Sequence, residues 1–370
     1  MVDVELTAEQ SALRDVLVDF AERELRPAGP ACDVRGRVPA DLEAKLHALG
    51  VTTPQVGASE NGGMSPLDYL IATEELACGD PGIAYGALST GHAALILGLC
   101  GSPEQQTAYL PSLADGELGS VLYYEGWGRR AAEIEASAAG DPAGWSLNGE
   151  KFFVANPAAA AVSIMFAIDI GTGDLRAFVF ESTPPGYVLG SDDRVTPNCG
   201  LRAAHTGAVA IRHLRVPPDA VLPGRGIDLA RALGWMRLTV PVVAIGAARA
   251  ANAYAAAYAQ ERVAFGRPIS AFQGVAFLVA DADTAIDAAR LSVWSAANEL
   301  DRITDVAVLD DLVSSTVARV CAAMERVTRD AVQVLGGSGF VKDHPVEYWW
   351  RSAMTLAAID TDPLAVPGIV

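Results

Sequence analysis

The stretch Arg262-Val-Ala-Phe-Gly-Arg-Pro-Ile-Ser-Ala-Phe-Gln273 decides the fold, together with Gln333-Val-Leu-Gly-Gly-Ser-Gly339 further along the chain. Both stretches lie at ends of long alanine-rich segments. These segments run over Ile227–Tyr258, Val275–Asp301 and Val306–Leu335. Long helical segments with short connections are typical of an antiparallel bundle, so the sequence predicts four long helices in its last third. The alanines allow close helix packing, inside one subunit or between subunits.

Residues 1–117 read as a helical domain. Leu6-Thr-Ala-Glu-Gln10 places a threonine three residues before a glutamine, which is the capping box of a helix start. Pro27 and Pro30 are expected to end that first helix, because proline lacks the backbone N–H and clashes with the preceding turn. Pro66 starts another helix after the loop 57–63. The predicted inner face of that helix consists of Tyr69, Leu70, Thr73 and Leu76.

From residue 118 to residue 224 the pattern changes to short alternating runs. These runs are Trp145–Val154, Val162–Ile168 and Arg176–Phe180. Alternation with a period of two predicts β-strands, and Asn148-Gly149 predicts a hairpin turn. We therefore predict an α+β multidomain protein. Its parts are an N-terminal helical domain (1–117), a central β-barrel-like domain (118–224) and a C-terminal four-helix bundle (225–370).

The composition favours a soluble oligomer. Of the 370 residues, 51% are hydrophobic and 19% are charged. No run approaches the roughly 18 uninterrupted apolar residues of a membrane span. The first residues, MVDVELTAEQ, lack the basic region and apolar stretch of a signal peptide. An apolar excess without a membrane segment indicates burial in subunit interfaces, and no membrane partner is expected.

Charge and metal-binding residue types exclude several function classes. A net charge of -18 would repel nucleic acid. The five cysteines are scattered and never form a C-x-x-C pair. This pattern argues against a disulfide framework and favours a cytoplasmic location. The five histidines show no metal-ligand spacing, so no metal site is expected.

The two bundle stretches resemble motifs of the acyl-CoA dehydrogenase family. The first is similar to the family's R-x-x-F-G-x-x-I-x-x-F-Q and the second to its Q-x-x-G-G-x-G. Other segments follow the family's order: Gly101–Glu117, Leu147–Lys151, Gly200–Ala203 and Val216-Pro217. The resemblance covers the chain from Leu6 to about Arg351. It implies the family's fold of helical domain, β domain and helical bundle, and it implies FAD as the cofactor.

The resemblance also implies a reaction. In the family, a carboxylate removes the α-proton of an acyl thioester while the β-hydrogen leaves as hydride to flavin N5. Hydrogen bonds to the thioester oxygen stabilise the developing enolate. The implied substrate is an acyl-CoA or another acyl thioester. The implied electron acceptor is an electron-transfer flavoprotein.

The first bundle stretch is assigned to a neighbour's cofactor by the same resemblance. It implies that Arg262 contacts the FAD diphosphate of a neighbouring subunit, because a guanidinium offers permanently charged, bidentate donors. Phe265 and Gln273 would contact the same FAD. A plainer interpretation stays open, in which Arg262 is a surface residue paired with Glu261 or Asp301.

The second bundle stretch is assigned to the other end of that cofactor. Gln333, Gly336 and Gly337 would meet the adenosine end of the FAD, where a missing side chain lets the backbone approach a phosphate. These glycines also suit a helix C-cap with a tight turn. The two interpretations are compatible.

The match to the family is weaker at the residues that would contact this chain's own flavin ring. The family's T-E-P-x-A-G-S-D corresponds to Leu122-Tyr-Tyr-Glu-Gly-Trp-Gly-Arg-Arg130, in which Tyr124 replaces the threonine. The family's W-x-T/S corresponds to Phe153-Val-Ala155, so the hydroxyl donor is lost. Phe153 is predicted either to lie against the flavin or to belong to the barrel core, with Trp127 as an alternative stacking residue. The chain retains the residues that would contact a neighbour's FAD and lacks those that would contact its own. This difference favours a mixed oligomer.

The catalytic base is expected near the C-terminus. The resemblance aligns Arg351-Ser-Ala353 with the family's R-D-A and Ile359-Asp-Thr-Asp362 with its Y-E-G-T. Asp360 therefore takes the base position with a side chain one methylene shorter than glutamate. A displacement of about 1 Å in such a group costs a large rate factor. The alternative interpretation is a solvated loop aspartate.

The family's other base position does not supply a substitute. It lies just before the arginine of L-D-x-x-R, which reads Leu233-Gly-Trp-Met-Arg237 here. Met236 cannot accept a proton, and Gly234 replaces the aspartate that helps to hold CoA. Arg237 is retained and is the substrate-binding candidate. Glu125 is a third carboxylate candidate for the base, and is otherwise interpreted as a charge at the barrel edge.

Three function hypotheses follow from these patterns. The leading one is an FAD-dependent subunit that desaturates an acyl thioester at its α,β-bond, either in a homo-oligomer or as one half of a hetero-oligomer with a related subunit. The second is a non-catalytic subunit that only completes a partner's FAD site. The third is a flavin monooxygenase-like relative, whose chemistry needs no α-proton base.

Overall fold

The order of secondary-structure elements agrees with the predicted fold class. A computed structural model describes residues 6–52, 65–126, 130–181, 183–189 and 198–360. In these residues helices come first, the strands of one sheet lie between Gly119 and Val216, and helices return from Ile227. The predicted loop 57–63, Trp127 and the chain after Asp360 lie outside the described residues. The domain limits after residues 117 and 224 stay predictions.

Six α-helices form the described N-terminal region. They are α1 (Ala8–Phe20), α2 (Arg26–Arg35), α3 (Ala40–Ala48), α4 (Pro66–Gly79), α5 (Pro81–Cys100) and α6 (Pro103–Ala114). The predicted capping box is confirmed. The Gln10 N–H donates to Thr7 Oγ1 at 3.1 Å, and the Thr7 N–H donates to Gln10 Oε1 at 3.0 Å. Pro66 starts α4 as predicted, and the whole predicted inner face of α4 is buried.

The prediction that Pro27 and Pro30 end the first helix is wrong. The chain continues as a helix to Arg35, through a π-helical turn at Ala21–Leu25. Pro27 stands directly after this π-helical turn, in the first turn of α2, and so lies inside a continuous helix. The helix ends instead at Gly36, whose φ of 70° is a left-handed conformation that glycine adopts without strain.

A mixed sheet of seven strands follows the N-terminal helices. The strands are β1 (Gly119–Leu122), β2 (Ser137–Asp141), β3 (Gly144–Ala155), β4 (Val162–Asp169), β5 (Leu175–Glu181), β6 (Tyr187–Leu189) and β7 (Thr206–Val216). Their order is β1-β4-β2-β3-β7-β6, with β5 paired to β4. Strands β1 and β2 run parallel to β4, and the other pairs are antiparallel. One face of the sheet encloses its own apolar core, and the other packs against the helices.

Asn148-Gly149 is not a hairpin turn, contrary to the prediction. Strand β3 continues through it, and the β2–β3 hairpin turns at Asp141–Gly144 instead. The register between β3 and β7 shifts between Leu147 and Gly149, which marks a β-bulge. The Asn148 Oδ1 accepts a hydrogen bond from the His213 N–H at 2.8 Å. The dipeptide therefore bends a strand rather than reversing the chain.

Four helices form the described part of the C-terminal bundle: α7 (Ile227–Glu261), α8 (Gln273–Glu299), α9 (Val306–Leu335) and α10 (Val346–Ala357). A small hairpin of β8 (Val263–Ala264) and β9 (Arg267–Pro268) joins α7 to α8. Helix α7 packs against α4, α5, α8, α9 and α10. Helix α10 has only 12 residues, so the prediction of four long helices is wrong for the last one.

Helices α5 and α7 are long and apolar enough to cross a membrane, by length and composition alone. In this fold they are core helices, because 83% of the apolar window of α5 and 89% of that of α7 are buried inside the protein. Burial in the core therefore accounts for their hydropathy.

Candidate active site and cofactor face

Six predicted cofactor residues are exposed at the ends of the bundle helices, and we call them the cofactor face: Arg262, Phe265, Gln273, Gln333, Gly336 and Gly337. The two motif stretches meet at one end of the bundle. The hydroxyl of Tyr258, one turn before Arg262, donates to Ser338 Oγ at 3.3 Å. The fold thus brings together two stretches that are 60 or more residues apart in the sequence.

Phe265 lies at the tip of the β8–β9 hairpin. Its side chain is 95% exposed, and its φ of 52° is unfavourable for an aromatic residue. Gly266 follows with a φ of 81°, so both turn residues are left-handed, as a two-residue hairpin of this kind requires. The Arg267 guanidinium lies 4.1 Å from the centre of the Phe272 ring and holds the base of the loop. The fold therefore presents an aromatic side chain to solvent at a position of backbone strain.

Arg262 ends α7 and has an exposed side chain. Within the described part of the chain its guanidinium makes no ion pair, with Glu261, with Asp301 or with any other residue. The plainer interpretation of a paired surface arginine is therefore wrong for the described residues. Gln273 opens α8 nearby and is also exposed. Both side chains are free to bind a ligand from outside the subunit.

Gly336 and Gly337 leave the backbone uncovered at the end of α9. A Cβ placed on either glycine would meet no atom of the described residues within 4 Å, whereas one on Gly339 would lie 2.5 Å from the Val332 carbonyl oxygen. Gly336 also has a φ of 60° and a ψ of -133°, which only glycine adopts readily. The predicted C-cap is present, because the Gly336 N–H bonds the Gln333 carbonyl. Open backbone, amide side chains and an unpaired guanidinium fit the diphosphate and adenosine of FAD.

Asp360, the predicted base, is 1% exposed and is not a solvated loop residue. Arg237 on α7 holds both of its carboxylate oxygens, Nε to Oδ2 at 2.9 Å and Nη2 to Oδ1 at 2.7 Å. The Tyr124 hydroxyl, just after β1, donates to Oδ2 at 3.1 Å. A bidentate guanidinium and a phenol together therefore occupy three of the roughly four acceptor positions of the carboxylate.

Arg237, the predicted substrate-binding residue, is committed to this network. Its Nη1 binds Asp310 Oδ1 at 2.6 Å and its Nη2 binds Ser314 Oγ at 2.7 Å, both on α9. Burial lowers the pKa of Arg237, but the nearby carboxylates of Asp360 and Asp310 help to raise that pKa above its ordinary value overall. Burial, with Asp360 close by, also raises the pKa of Tyr124, so the phenol remains a hydrogen-bond donor.

The predicted flavin-ring residues are packed into the core, and we call Tyr124 and Phe153 the ring half. Phe153 is 7% exposed, and its ring centre lies 5.2 Å from that of Tyr85 on α5. Tyr124 packs against Tyr123, with ring centres 5.2 Å apart. The Tyr124 hydroxyl, where the family has a threonine, is already used by Asp360. In this arrangement the ring half does not fit a flavin ring, in contrast to the cofactor face.

The remaining base candidates are not available. Met236 is buried on α7 and carries no proton acceptor. Glu125 binds the fully buried Lys151 Nζ at 2.6 Å and accepts hydrogen bonds from the N–H groups of Glu135 and Ala136. Burial lowers the pKa of Lys151 to about 8. Glu125 therefore neutralises a buried lysine rather than facing a substrate.

An apolar cavity of about 570 Å³ lies between α7, α9 and the sheet. Its walls include Leu229, Leu233, Leu309, Val313 and Leu175. Arg237 and Asp310 also line it, and Asp360 does not. Sequence analysis missed Asp310, Ser314 and Tyr85. No motif marks them, and only the packing of α5 and α9 brings them to the site.

Among the residues that the structure describes, no group of histidine, cysteine, aspartate and glutamate side chains has the arrangement of a metal site. The five cysteines are all free thiols.

Comparison with known proteins identifies the family. Residues 7–117 match the family model described as acyl-CoA dehydrogenase, N-terminal domain, and residues 224–360 match acyl-CoA dehydrogenase, C-terminal domain. The chain is 33% identical to the short-chain specific acyl-CoA dehydrogenase of Clostridium acetobutylicum, over 95% of this chain and 94% of that protein.

Two solved structures show the same fold over nearly the whole chain. Butyryl-CoA dehydrogenase of Megasphaera elsdenii superposes with a TM-score of 0.82 at 29% identity, covering 98% of this chain and 97% of that one. A chain from a structure of the electron transferring flavoprotein of Acidaminococcus fermentans superposes with a TM-score of 0.86 at 28% identity, covering 98% and 96%. With its two domain matches and these relatives, the chain belongs to the acyl-CoA dehydrogenase family of FAD-dependent oxidoreductases, which act on CH–CH bonds.

Proposed function

We propose that the chain is one subunit of an oligomer that desaturates an acyl thioester at its α,β-bond, with FAD bound between subunits. The cofactor face carries this proposal. It combines exposed Gln273 and Gln333 with an Arg262 that has no ion pair among the described residues, and with two glycines whose backbone no described residue covers. A neighbouring subunit that places its FAD against this face would gain the guanidinium for the diphosphate and the open backbone for the adenosine end.

FAD, when bound, supplies the acceptor for the hydride that leaves the β-carbon. This chain's residues would bind and orient the cofactor from outside the neighbour's active site. We propose an electron-transfer flavoprotein as the final acceptor. The superposition with a chain from an electron transferring flavoprotein structure supports that choice.

A second candidate function is favoured by the Arg237–Asp360 ion pair. For Asp360 to act as a base, Arg237 would have to release it. Removing one partner from such a buried pair costs about 3–5 kcal/mol. The pair and the filled ring half together favour a non-catalytic subunit that completes the FAD site of a different but related partner, in a hetero-oligomer. A monooxygenase-like activity gains no support, because a reactive flavin also needs a ring site.

The substrate proposed is an acyl-CoA, as for the relatives named short-chain acyl-CoA dehydrogenases. The apolar cavity beside Arg237 is where this chain would take the thioester. We propose a cytoplasmic location, which the five free thiols support, because such thiols persist in a reducing compartment.

The experiment compares the chain purified alone with the chain co-purified with a related subunit. The visible spectrum of each preparation reports bound FAD, and addition of butyryl-CoA reports desaturation as bleaching of the flavin. Bleaching in the parent oligomer that Asp360→Asn abolishes, without loss of FAD, supports catalysis by this chain. Bleaching that survives Asp360→Asn supports the second candidate. An oligomer that never binds FAD overturns both.

The cofactor face is tested by Arg262→Ala, with Arg23→Ala as the matched control. Arg23 is an exposed arginine in the N-terminal helical region; its side chain is 76% accessible and binds Asp19 at 2.8 Å. The proposal expects FAD loss from the Arg262→Ala oligomer only. Equal FAD content in both variants would refute the role of Arg262.

A further inference from the structure

Arg237 holds two carboxylates that differ in their access to the cavity. The Asp360 side chain is 0% exposed and does not line the cavity. The Asp310 side chain is 30% exposed and does line it. A ligand in the cavity can therefore touch Asp310, while Asp360 lies behind Arg237.

Asp310 has hydrogen-bonding capacity to spare. Its Oδ1 accepts from Arg237 Nη1 at 2.6 Å, and within the described residues its Oδ2 accepts no hydrogen bond. An ionised carboxylate only accepts, so its free oxygen requires a donor, which is either water or a ligand N–H or O–H. The neighbouring walls are apolar, with Leu309 and Val313 on the same helix. The free Asp310 oxygen thus lies beside apolar walls, in a cavity whose lining also includes the charged residues Asp174 and Arg225.

The Asp310 carboxylate is held in place through the contacts of Arg237. Asp360 fixes Arg237 through two hydrogen bonds, and Ser314, one turn after Asp310 on α9, accepts from Arg237 Nη2. Arg237 in turn fixes the carboxylate of Asp310. A binding group held in place by a second layer of contacts loses little entropy when a ligand arrives.

We propose that Asp310 is the ligand-contacting carboxylate of this chain, and that Asp360 is a positioning residue that acts through Arg237. The ligand class is a thioester that has apolar groups and, in its carrier arm, amide N–H or hydroxyl donors. Asp310 Oδ2 accepts one of those donors, and the leucine and valine walls take the apolar part. This inference rests on the proposed function, which supplies the acyl thioester.

The test is calorimetric titration of the full oligomer with butyryl-CoA, comparing Asp310→Asn with Asp311→Asn. Asp311 is the adjacent, exposed aspartate, and it does not line the cavity, so both variants lose the same charge from the same helix turn. Asp310→Asn turns the free acceptor into a donor and should weaken butyryl-CoA binding by about tenfold or more. Asp311→Asn should bind like the parent, and Asp310→Glu should retain much of the affinity because it keeps the acceptor.

Equal affinities for Asp310→Asn and the parent would overturn this inference and leave the proposed function standing. A parent oligomer that binds FAD but not butyryl-CoA would overturn both the inference and the choice of thioester. Equal weakening by Asp310→Asn and Asp311→Asn would show a general charge effect and would also overturn the role of Asp310. Thermal unfolding of each variant separates a loss of binding from a loss of fold.

Discussion

The cofactor face and the Asp360 network use the same residue type in opposite ways. Arg262 is exposed and has no ion pair within the described residues, whereas Arg237 is 2% exposed and holds two carboxylates and a hydroxyl. The polar side chains near Arg262 are exposed. Those around Asp360 form hydrogen bonds with one another. The difference teaches that a retained motif residue is informative only together with its partners in the fold.

The same contrast holds for the neighbouring residues. Phe265 on the cofactor face is 95% exposed, while Phe153 in the ring half is 7% exposed and packs on Tyr85. An exposed aromatic side chain on strained backbone indicates a surface that another subunit covers. A buried one indicates a space that is already filled. This contrast supports the proposal that the chain completes a neighbour's site.

The largest expected effect on stability is at the buried ion pair of Asp360 and Arg237. Asp360→Asn leaves the buried charge of Arg237 with less compensation and should lower the free energy of unfolding by about 3–5 kcal/mol. The matched control is Asp141→Asn, because Asp141 also binds an arginine, Arg215, through both oxygens but is 49% exposed. That control should cost less than about 1 kcal/mol. Urea unfolding measures the loss of stability in both variants. Equal losses would show that the buried pair contributes no more than the exposed one.

The next largest expected effect is a pH dependence of stability that arises from buried His92. Burial between α5 and α7 lowers the pKa of His92 to about 4, below its ordinary value of 6.5. The unfolded chain therefore binds more protons between these two pH values, so the contribution of neutral His92 is complete above pH 6.5 and is lost as pH falls towards 4. The contribution is about 3 kcal/mol. His92→Gln should flatten this part of the stability profile, and an unchanged slope would contradict it.

A smaller effect is expected at the ring half. Tyr124→Phe removes only the hydroxyl that donates to Asp360 and should cost about 1 kcal/mol of stability. The aromatic packing with Tyr123 remains, so the fold should survive. Thermal unfolding measures the change. A neutral or stabilising result would show that Arg237 alone satisfies Asp360.

The smallest expected effect on stability is at the cofactor face. Arg262→Ala removes an exposed side chain that has no ion pair in the part of the chain that the structure describes. It should change the free energy of unfolding of the isolated subunit by less than about 0.5 kcal/mol. Chemical unfolding in the absence of FAD measures this change. A loss of several kcal/mol would mean that Arg262 supports the fold rather than a cofactor.

The sequence predicted the features that depend on local pattern. The capping box at Thr7, the buried face of α4 and the helices around the bundle motifs follow from residue spacing, and the structure confirms them. The motif stretches are contiguous, so the members of the cofactor face could be named before their shared location was known. Their roles towards FAD stay predictions.

The features that failed depend on distant partners. Asp360 and Arg237 are 123 residues apart, and the sequence around neither residue indicates that they bind each other. Asp310 reaches Arg237 only because α9 packs on α7. Pro27 is tolerated because a π-helical turn precedes it, and Asn148 serves a bulge because β7 lies beside β3. In each case tertiary packing overrides a local rule.

The most direct test of the central claim is the FAD content of the oligomer, formed alone or with a related subunit, in Arg262→Ala and Tyr124→Phe variants of this chain. The absorbance of FAD per chain is the measurement. We predict that Arg262→Ala loses FAD and that Tyr124→Phe keeps it, because this chain serves a neighbour's cofactor and uses its own ring half for packing. The reverse pattern, with FAD kept by Arg262→Ala and lost by Tyr124→Phe, would contradict the account.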